Sequence, residues 1–180
     1  VISPLITRAA LWNFASSFSA FYYLLKKIEP DYVFDLGSRD GTDSLRFRRL
    51  LPNASLVAVE ANPILAAKMQ TNSQIVDAKV EVKNAAVSNL TGTSNFSVCE
   101  SEMDLGNGSL LHRDSLTSEH TFEVQTLTIA NLLSGIDSTK VALWIDVEGC
   151  GYEVIEGLKG HEQKVAVIHI EVESKEHWRG

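Results

Sequence analysis

The chain has 180 residues, of which 44% are hydrophobic and 22% are charged, and this is the ordinary composition of one soluble globular domain. The net charge of -7 argues against a nucleic-acid backbone as the main partner. Cys99 and Cys150 predict neither a disulfide framework nor a metal site, so we expect a reducing, cytoplasmic compartment. Because the chain begins at Val1 rather than at methionine, we expect a fragment of a longer protein.

Residues 1–29 carry one apolar stripe with the period of a helix. Its members recur at steps of three and four, at Leu11, Phe14, Phe18, Phe21, Leu25 and Ile28. The opposite face holds serines and Asn13, whereas a membrane-spanning helix would be apolar on all sides over about 20 residues. We therefore favour a helix that packs on the edge of the domain over a membrane anchor.

The stretch 32–42 has the order strand, glycine turn and helix start. Gly37 and Gly41 mark the turn after a short apolar run. Backbone N–H groups point outward from such a turn and bind ligands in α/β proteins. Asp35 would repel a pyrophosphate there but suits an ammonium and a sulfonium, so we interpret the turn as a site for S-adenosylmethionine. Purely structural glycines are the alternative.

The second strand, 56–60, ends at Glu60, which lies 23 residues after Gly37. An acid at about this distance commonly holds the two ribose hydroxyls of an adenosine. The alternative is a solvated acid at a strand end. Asn62 and Pro63 then cap and start a helix that we expect to reach about residue 73.

A third strand is predicted over residues 80–87. Asn84, Ala85 and Ala86 lie at its end, where small residues leave space for a flat adenine ring. Thr91 and Gly92 predict a hairpin turn into a further strand at 95–99.

The segment 100–120 shows no periodicity, and a loop of this length in a compact domain is usually functional or disordered. We expect a lid over the substrate. His112 lies in this segment and either contacts substrate or is simply exposed.

The rest of the chain continues the strand–helix alternation. The strand 141–147 is the most apolar one and leads directly into Glu148. His169 falls in the middle of the last strand, where we expect a buried structural histidine. The elements predicted after residue 120 are strands at 122–126, 141–147 and 165–172 and helices at 130–133 and 151–158, with Val154, Ile155 and Leu158 facing inward.

These elements predict one α/β domain, with an N-terminal helical segment at 1–29 and a doubly wound, mainly parallel sheet over 32–173. Ligands bind such sheets outside the carboxyl ends of the strands, where Asp35, Glu60, Asp146 and Glu171 are predicted. Converging carboxylates either share a divalent metal or raise one another's pKa until one is a useful base. Because no histidine–carboxylate spacing predicts a metal site, we expect none.

Several segments resemble the FkbM-type methyltransferases, over roughly residues 32–173. The most specific of them, Ile-Asp-Val-Glu-Gly, is intact. The segments are Asp35-Leu-Gly-Ser-Arg-Asp-Gly41, Glu60-Ala-Asn-Pro63, Asn84 to Val87, Thr126-Leu127 and Ile145 to Gly149, with Glu153 and Gly157 further on. The resemblance implies a Rossmann-like class I methyltransferase fold, here with an inserted β-hairpin.

The resemblance also implies an S-adenosylmethionine-dependent O-methyltransferase, in which a hydroxyl of a small molecule or glycan attacks the methyl carbon in line. Asp146 is expected at the transfer position as the base, with Glu148 and Glu171 as second choices. Asp146 could also merely cap the next helix. The expected cofactor-binding residues are Asp35 and Gly37 at the amino-acid end, Glu60 at the ribose, and Ser38, Arg39, Gly41, Ala61, Asn62, Asn84, Ala85 and Asp146.

Three departures from the family pattern stand out. The lysine that usually precedes the Ile-Asp pair is Trp144, which could alter the orientation of substrate or cofactor. The aspartate that usually follows Thr-Leu is Thr128. The chain ends at Gly180, so the final antiparallel strands of a methyltransferase sheet are expected to be missing or replaced.

Two rival functions share these features. A nicotinamide-dependent dehydrogenase would have the same sheet and Glu60, but its fingerprint requires glycine where this chain has Arg39. A methyltransferase-like binding domain without turnover would bind the cofactor and transfer nothing, and Trp144 and the missing strands keep this alternative open.

Overall fold

The structure is a computed structural model that describes residues 16–99, 108–111 and 119–172. Its helices are α1 (Ser17–Ile28), α2 (Thr42–Leu50), α3 (Pro63–Thr71), α4 (Ser73–Asp77), α5 (Ile129–Leu132) and α6 (Gly151–Glu156). Its strands are β1 (Tyr32–Leu36), β2 (Ser55–Glu60), β3 (Val80–Asn84), β4 (Ala86–Val87), β5 (Gly92–Cys99), β6 (Glu119–Leu127), β7 (Val141–Ile145) and β8 (Val165–Ile170). A 3₁₀ turn, Glu162–Lys164, precedes β8.

Five parallel strands in the order β3-β2-β1-β7-β8 form the central sheet. The chain starts in the middle, adds β2 and β3 on one side, and then crosses back to add β7 and β8 on the other. Such strands must be apolar on both faces, and all five residues of β7 are indeed buried. The doubly wound, Rossmann-like α/β fold predicted from the sequence is confirmed, and its strand order reverses between β1 and β7.

Helices cover both faces of the central sheet. On one face, Ile129 of α5 and Val154 of α6 belong to a cluster with the side chains of β1 and β7. On the other face, Phe21 of α1, Phe47 of α2 and Met69 of α3 belong to a second cluster. The sheet is therefore a buried middle layer, and its carboxyl edge is free to form a site.

The helix after β7 is shorter than predicted, since α6 ends at Glu156. Val154 and Leu158 are buried as expected, but Ile155 is 36% exposed, so its predicted inward position is wrong. Neighbouring residues on a helix are about 100° apart. Because Val154 points directly at the sheet, Ile155 lies on the flank of the helix.

Trp144 is buried on the face of the central sheet that α1 and α2 cover. Its side chain is 2% exposed and stacks on His169, with ring centroids 3.9 Å apart and ring planes 10° apart. Phe21 and Phe47 lie 5.3 and 5.6 Å from it, on the face covered by α1 and α2. The substitution of the usual lysine therefore fills an aromatic cluster behind the sheet.

His169 is buried, as the sequence predicted, and 9% of it is exposed. Its Nε2 lies 3.2 Å from the Ser17 hydroxyl at the start of α1. Desolvation lowers the pKa of His169 below its usual 6.5, so the ring is neutral at pH 7 and stacks without a charge.

α1 packs on the edge of the domain, as predicted. It begins with a capping box at Ser16 and buries Phe21 and Leu25. The Phe18 ring is 45% exposed but packs beside Trp144, with ring centroids 5.1 Å apart. Within the described part of the chain, no helix has the length and apolar character needed to cross a membrane. Leu11 and Phe14 lie outside the described residues.

A second sheet has the order β4-β6-β5, with β5 and β6 antiparallel. The prediction of one strand over 80–87 is wrong, because the Ala85 N–H donates to the Glu60 carbonyl (3.1 Å) and the chain then leaves the central sheet. The predicted hairpin turn at Thr91 and Gly92 is also wrong. β5 pairs with the later strand β6, so these two strands form the inserted hairpin.

Most of the predicted lid lies outside the described residues, and so do His112 and Glu173. The described part, 108–111, lies against β5 through an antiparallel bridge between Ser97 and Ser109. The two sheets meet at the carboxyl edge of the central sheet.

Candidate active site

A cleft of about 490 Å³ opens at the carboxyl ends of β1, β2 and β7, where the strand order reverses. This position is typical of small-molecule sites in open α/β sheets. The cleft is lined by the acidic residues Glu60, Asp146 and Glu148 and by an apolar wall that includes Val59, Val87, Phe96 and Leu110.

A larger hollow, of about 1200 Å³, lies at the opposite edge, below the amino ends of β1, β2 and β3. Arg48 is one of the charged residues in its lining. Its guanidinium, however, already donates to the carbonyl oxygens of Ala78 (2.7 Å), Pro52 (2.9 Å) and Ala54 (2.7 Å). Because this cation holds the chain together there, we place the functional site in the smaller cleft.

Gly37 stands at the centre of the cleft, at the point where β1 ends. Its N–H and that of Ser38 both donate to the Val59 carbonyl, at 2.9 and 3.1 Å, so the turn folds back over β2. The φ angle of Gly37 is +84°, and a Cβ added to it would lie 1.9 Å from the carbonyl oxygen of Asp146. A glycine is therefore required on steric grounds as well as by the backbone conformation.

Asp35 lies behind the turn, outside the lining of the cleft. It is 2% exposed, and its Oδ2 accepts hydrogen bonds from the Ser38 hydroxyl (2.7 Å) and the Ser44 hydroxyl (2.6 Å). Burial raises the pKa of Asp35 to about 6 in spite of these bonds. The expected direct contact of Asp35 with a cofactor ammonium is not supported by this geometry, because strand alternation turns its side chain toward α2.

Gly41 likewise faces away from the cleft. Its φ is +78°, and an added Cβ would lie 2.4 Å from Cδ1 of Ile75 on α4. The first N–H of α2, that of Thr42, donates to the Asp40 side chain at 3.0 Å. Gly41 thus allows close packing of the start of α2 on α4.

Glu60 lines the cleft and joins two of its loops. Its Oε2 accepts the Arg39 N–H and its Oε1 accepts the Asn62 N–H, each at 2.7 Å. The residue is 6% exposed, and burial raises the pKa of its carboxyl to about 7. A carboxylate has about four acceptor positions, so these two bonds leave capacity for ligand hydroxyls.

Arg39 adopts a left-handed conformation, with φ +56°. Its backbone N–H is held by Glu60, and its exposed side chain lies close enough to Asp146 for the positive charge to act on that carboxyl. Arg39 therefore contributes its backbone to the turn and its charge to the rim of the cleft.

Asn62 and Asn84 support the floor of the cleft from outside it. The Asn62 side chain caps α3 by accepting the Ile64 N–H at 2.9 Å. The Asn84 amide donates to the carbonyl oxygens of Glu60 (2.9 Å) and Ala61 (3.1 Å). Ala61 and Ala85 themselves line the cleft, where small side chains leave its floor open.

Asp146 and Glu171 are neighbouring carboxyl groups, close enough for each charge to act on the other. Each extends the hydrogen bonding between parallel strands by one residue. The Asp146 N–H donates to the Leu36 carbonyl and the Glu171 N–H donates to the Ile145 carbonyl, both at 2.9 Å. Burial is the largest cause that raises the pKa of Asp146, to about 6, and the charge of Glu171 adds to it. Asp146 is therefore mostly ionised at pH 7 and can take up a proton.

Sequence reasoning missed several residues of the cleft, among them Ser109 and Phe96. The Ser109 hydroxyl is 2% exposed and donates to the Glu148 carbonyl at 2.6 Å. The ring of Phe96 on β5 forms part of the apolar wall. The alternation of Phe96 and Val98 is a usable strand signal, whereas nothing in the sequence around Ser109 marks it. Among residues 16–99, 108–111 and 119–172, no three His, Cys, Asp or Glu side chains converge as a metal site would require.

Comparisons with known proteins agree on the class of protein. Residues 35–180 match the family described as "Methyltransferase FkbM domain". A curated relative, "2-O-methyltransferase NoeI" of Sinorhizobium fredii (strain NBRC 101917 / NGR234), is 28% identical over 170 residues. That alignment covers 87% of this chain and 69% of the relative.

A solved structure, that of methyltransferase FkbM from Methylobacillus flagellatus KT, is also similar to this chain. The sequence identity is 13%, the TM-score is 0.44, and 72% of this chain is covered. The matched part spans 29% of the length of that solved protein.

We expect Gly37→Ala to destabilise the protein far more than Gly135→Ala. Both glycines are left-handed, with φ +84° and +77°, but a Cβ at Gly135 meets nothing within 4 Å. The control therefore loses only the conformational strain, about 1–2 kcal/mol. Gly37→Ala adds the clash with Asp146 and should lose at least about 2 kcal/mol more in urea unfolding. Equal losses would show that the two strand ends do not approach closely.

We expect Glu60→Gln to flatten the pH dependence of stability between pH 4.5 and 7. Because the pKa of Glu60 is raised, the folded protein keeps a proton on this carboxyl that the unfolded chain releases. The free energy of unfolding therefore falls as the pH rises through this window. One proton contributes a slope of at most about 1.4 kcal/mol per pH unit. Urea unfolding at pH 5, 6 and 7 measures the slope.

Asp35 and Asp146 titrate in the same window in both proteins, so the difference between wild type and Glu60→Gln isolates Glu60. Glu123→Gln, which changes an exposed carboxylate on β6, is the control and should keep the wild-type slope. A Glu60→Gln slope equal to that of wild type would contradict the burial of this carboxyl.

Proposed function

This chain belongs to the methyltransferase FkbM domain family, and we propose that it transfers the methyl group of S-adenosylmethionine to a hydroxyl oxygen. The observation that carries the proposal is the cleft at the strand-order reversal, which Glu60 and Asp146 line from opposite sides of Gly37. Parallel sheets of this type bind adenosine cofactors at that position.

The residues of the cleft fit such a cofactor. Gly37 presents a bare backbone surface, and Ala61 and Ala85 leave the floor beside Glu60 open. Glu60, at the end of the second strand, retains acceptor capacity for a ribose diol. Asp35, with Ser38 and Ser44, would fix the glycine turn from behind and not touch the cofactor. The cofactor supplies a methyl group on a positively charged sulfur.

Asp146 is the residue best placed to receive the proton of the acceptor hydroxyl. It lines the cleft beside Gly37, and with a pKa of about 6 it is ionised near neutral pH yet basic enough to hold a proton. Glu171 lies beside Asp146, and its negative charge would help to keep Asp146 basic. Glu148 lines the same wall and is the remaining acid that could orient the acceptor.

The acceptor we propose is a hydroxyl of a small molecule or glycan. The relative from Sinorhizobium fredii, whose printed name is a 2-O-methyltransferase, supports oxygen as the acceptor atom. The apolar wall at Phe96 and Leu110 and the neutral backbone of Gly108 favour an acceptor with a substantial uncharged surface.

Neither rival function gains support. The third position of the dinucleotide fingerprint carries Arg39, whose N–H is committed to Glu60, so a pyrophosphate would meet a carboxylate there. The binding-domain alternative rested partly on Trp144, and that residue packs behind the sheet, away from the cleft.

S-adenosylhomocysteine should raise the melting temperature, and NAD should not. At 100 times the dissociation constant, a ligand of the folded state adds about 2.7 kcal/mol of stability. For a chain of this length that corresponds to roughly 5–10 °C in a thermal unfolding scan. A shift with NAD and none with S-adenosylhomocysteine would contradict the proposal.

Asp146→Asn should keep the affinity for S-adenosylhomocysteine within about threefold but lose methyl transfer by roughly 10²–10⁴-fold, the usual contribution of a general base. Transfer is measured with isotope-labelled S-adenosylmethionine and a panel of hydroxylated small molecules and glycans. The wild-type rate should rise with pH around the pKa of Asp146, near 6. The control, Glu171→Gln, should lose less, and full turnover by Asp146→Asn would exclude its role as the base.

A further inference from the structure

The segment 108–111 lies along the cleft and is held there by the hydrogen bonds of Ser109. The backbone N–H and carbonyl of Ser109 pair with those of Ser97 on β5, at 3.0 and 2.9 Å. Its hydroxyl donates to the Glu148 carbonyl (2.6 Å) and accepts the Leu111 N–H (3.0 Å). All the hydrogen-bonding groups of this one residue are used, and its side chain is almost fully buried.

Gly108 has no side chain and so allows the same segment to pack closely on the second sheet. A Cβ added there would lie 2.4 Å from the ring of Phe96 and 2.7 Å from Val98, so the backbone lies directly on β5. Gly108, Ser109 and Leu110 all line the cleft. The segment is therefore a wall of the cleft that is built by the second sheet.

The Ser109–Glu148 bond joins this wall to the turn that carries Asp146. Glu148 is two residues after Asp146, and Gly149, which follows, has φ +75°, so the chain bends sharply at this point. The other end of the turn is held by the central sheet, through the Asp146 N–H and the Gly37 contact. A turn held at both ends limits the positions that the Asp146 carboxyl can take.

We propose that Ser109 is a positioning residue, which sets the place of the Asp146 carboxyl relative to the transferred methyl by holding the Glu148 carbonyl. The proposal rests on the proposed function of the cleft. Ser109 acts through the turn and does not itself bind the cofactor. Loss of the Ser109 hydroxyl therefore changes ligand recognition at the position of the transferred methyl. The adenosine end of the cleft, around Glu60 and Ala85, stays unchanged.

Two ligands separate these effects. S-adenosylhomocysteine has no group at the position of the transferred methyl, whereas sinefungin carries an ammonium there. The ratio of their dissociation constants therefore reports on the negative charge that faces the transfer position. Both are measured by calorimetry at pH 8, where the Asp146 carboxyl is ionised.

We expect wild type to bind sinefungin more tightly than S-adenosylhomocysteine. In Ser109→Ala this preference should fall by about 5–10-fold, while the affinity for S-adenosylhomocysteine changes by less than twofold. Ser109→Thr, which keeps the hydroxyl, should restore the preference to within about twofold of wild type. Ser97→Ala is the matched control, because it leaves the backbone bridge intact and its hydroxyl contacts only Thr121 among the bonds described.

An unchanged preference in Ser109→Ala would overturn the inference, and so would an equal fall in Ser97→Ala or a failure of Ser109→Thr to restore it. Equal losses of affinity for both ligands would also overturn it, since they would indicate a general structural role. If wild type binds neither ligand, the proposed function itself fails. These results are distinguishable, because the failure of the inference alone leaves wild-type binding intact.

Discussion

The approach of Gly37 to the Asp146 carbonyl is the contact on which the site depends. β1 and β7 are neighbours in the sheet although they are distant in sequence, and their ends can meet only because Gly37 has no side chain. This contact sets the distance between the glycine turn and the acidic turn after β7. The cleft lies between these turns, with Glu60 on the β2 side and Asp146 on the β7 side.

Burial of acidic groups is the second constraint. Desolvation raises the pKa values of Asp35, Glu60 and Asp146 to about 6, 7 and 6, so the free protein holds these carboxyl groups near the point of ionisation. In the proposed function a cationic ligand would stabilise the charged forms of the two that line the cleft, Glu60 and Asp146, and a hydroxyl proton would find an acceptor of suitable basicity. The same feature makes the free protein less stable as the pH rises from 4.5 to 7.

The sequence predicted the sheet and much of the cleft, because apolar strand runs and the spacing of Glu60 from Gly37 are local signals. The orientation of Asp35 could not be predicted from local signals, because it depends on which face of β1 packs against α2. The break at Ala85 depends on the Glu60 carbonyl, and the position of Trp144 depends on α1. Ser109 could not be found at all, because its role arises from a bond between two sheets.

The most direct test is to map the binding of S-adenosylhomocysteine on the backbone amides of the labelled protein by NMR. The largest shifts should occur at the carboxyl edge of the sheet, at Gly37, Ala61, Ala85 and Asp146. Little change is expected around Arg48 and Lys79, which border the hollow at the opposite edge. Shifts concentrated at that opposite hollow, with the four cleft amides unmoved, would show that the ligand does not bind in the cleft.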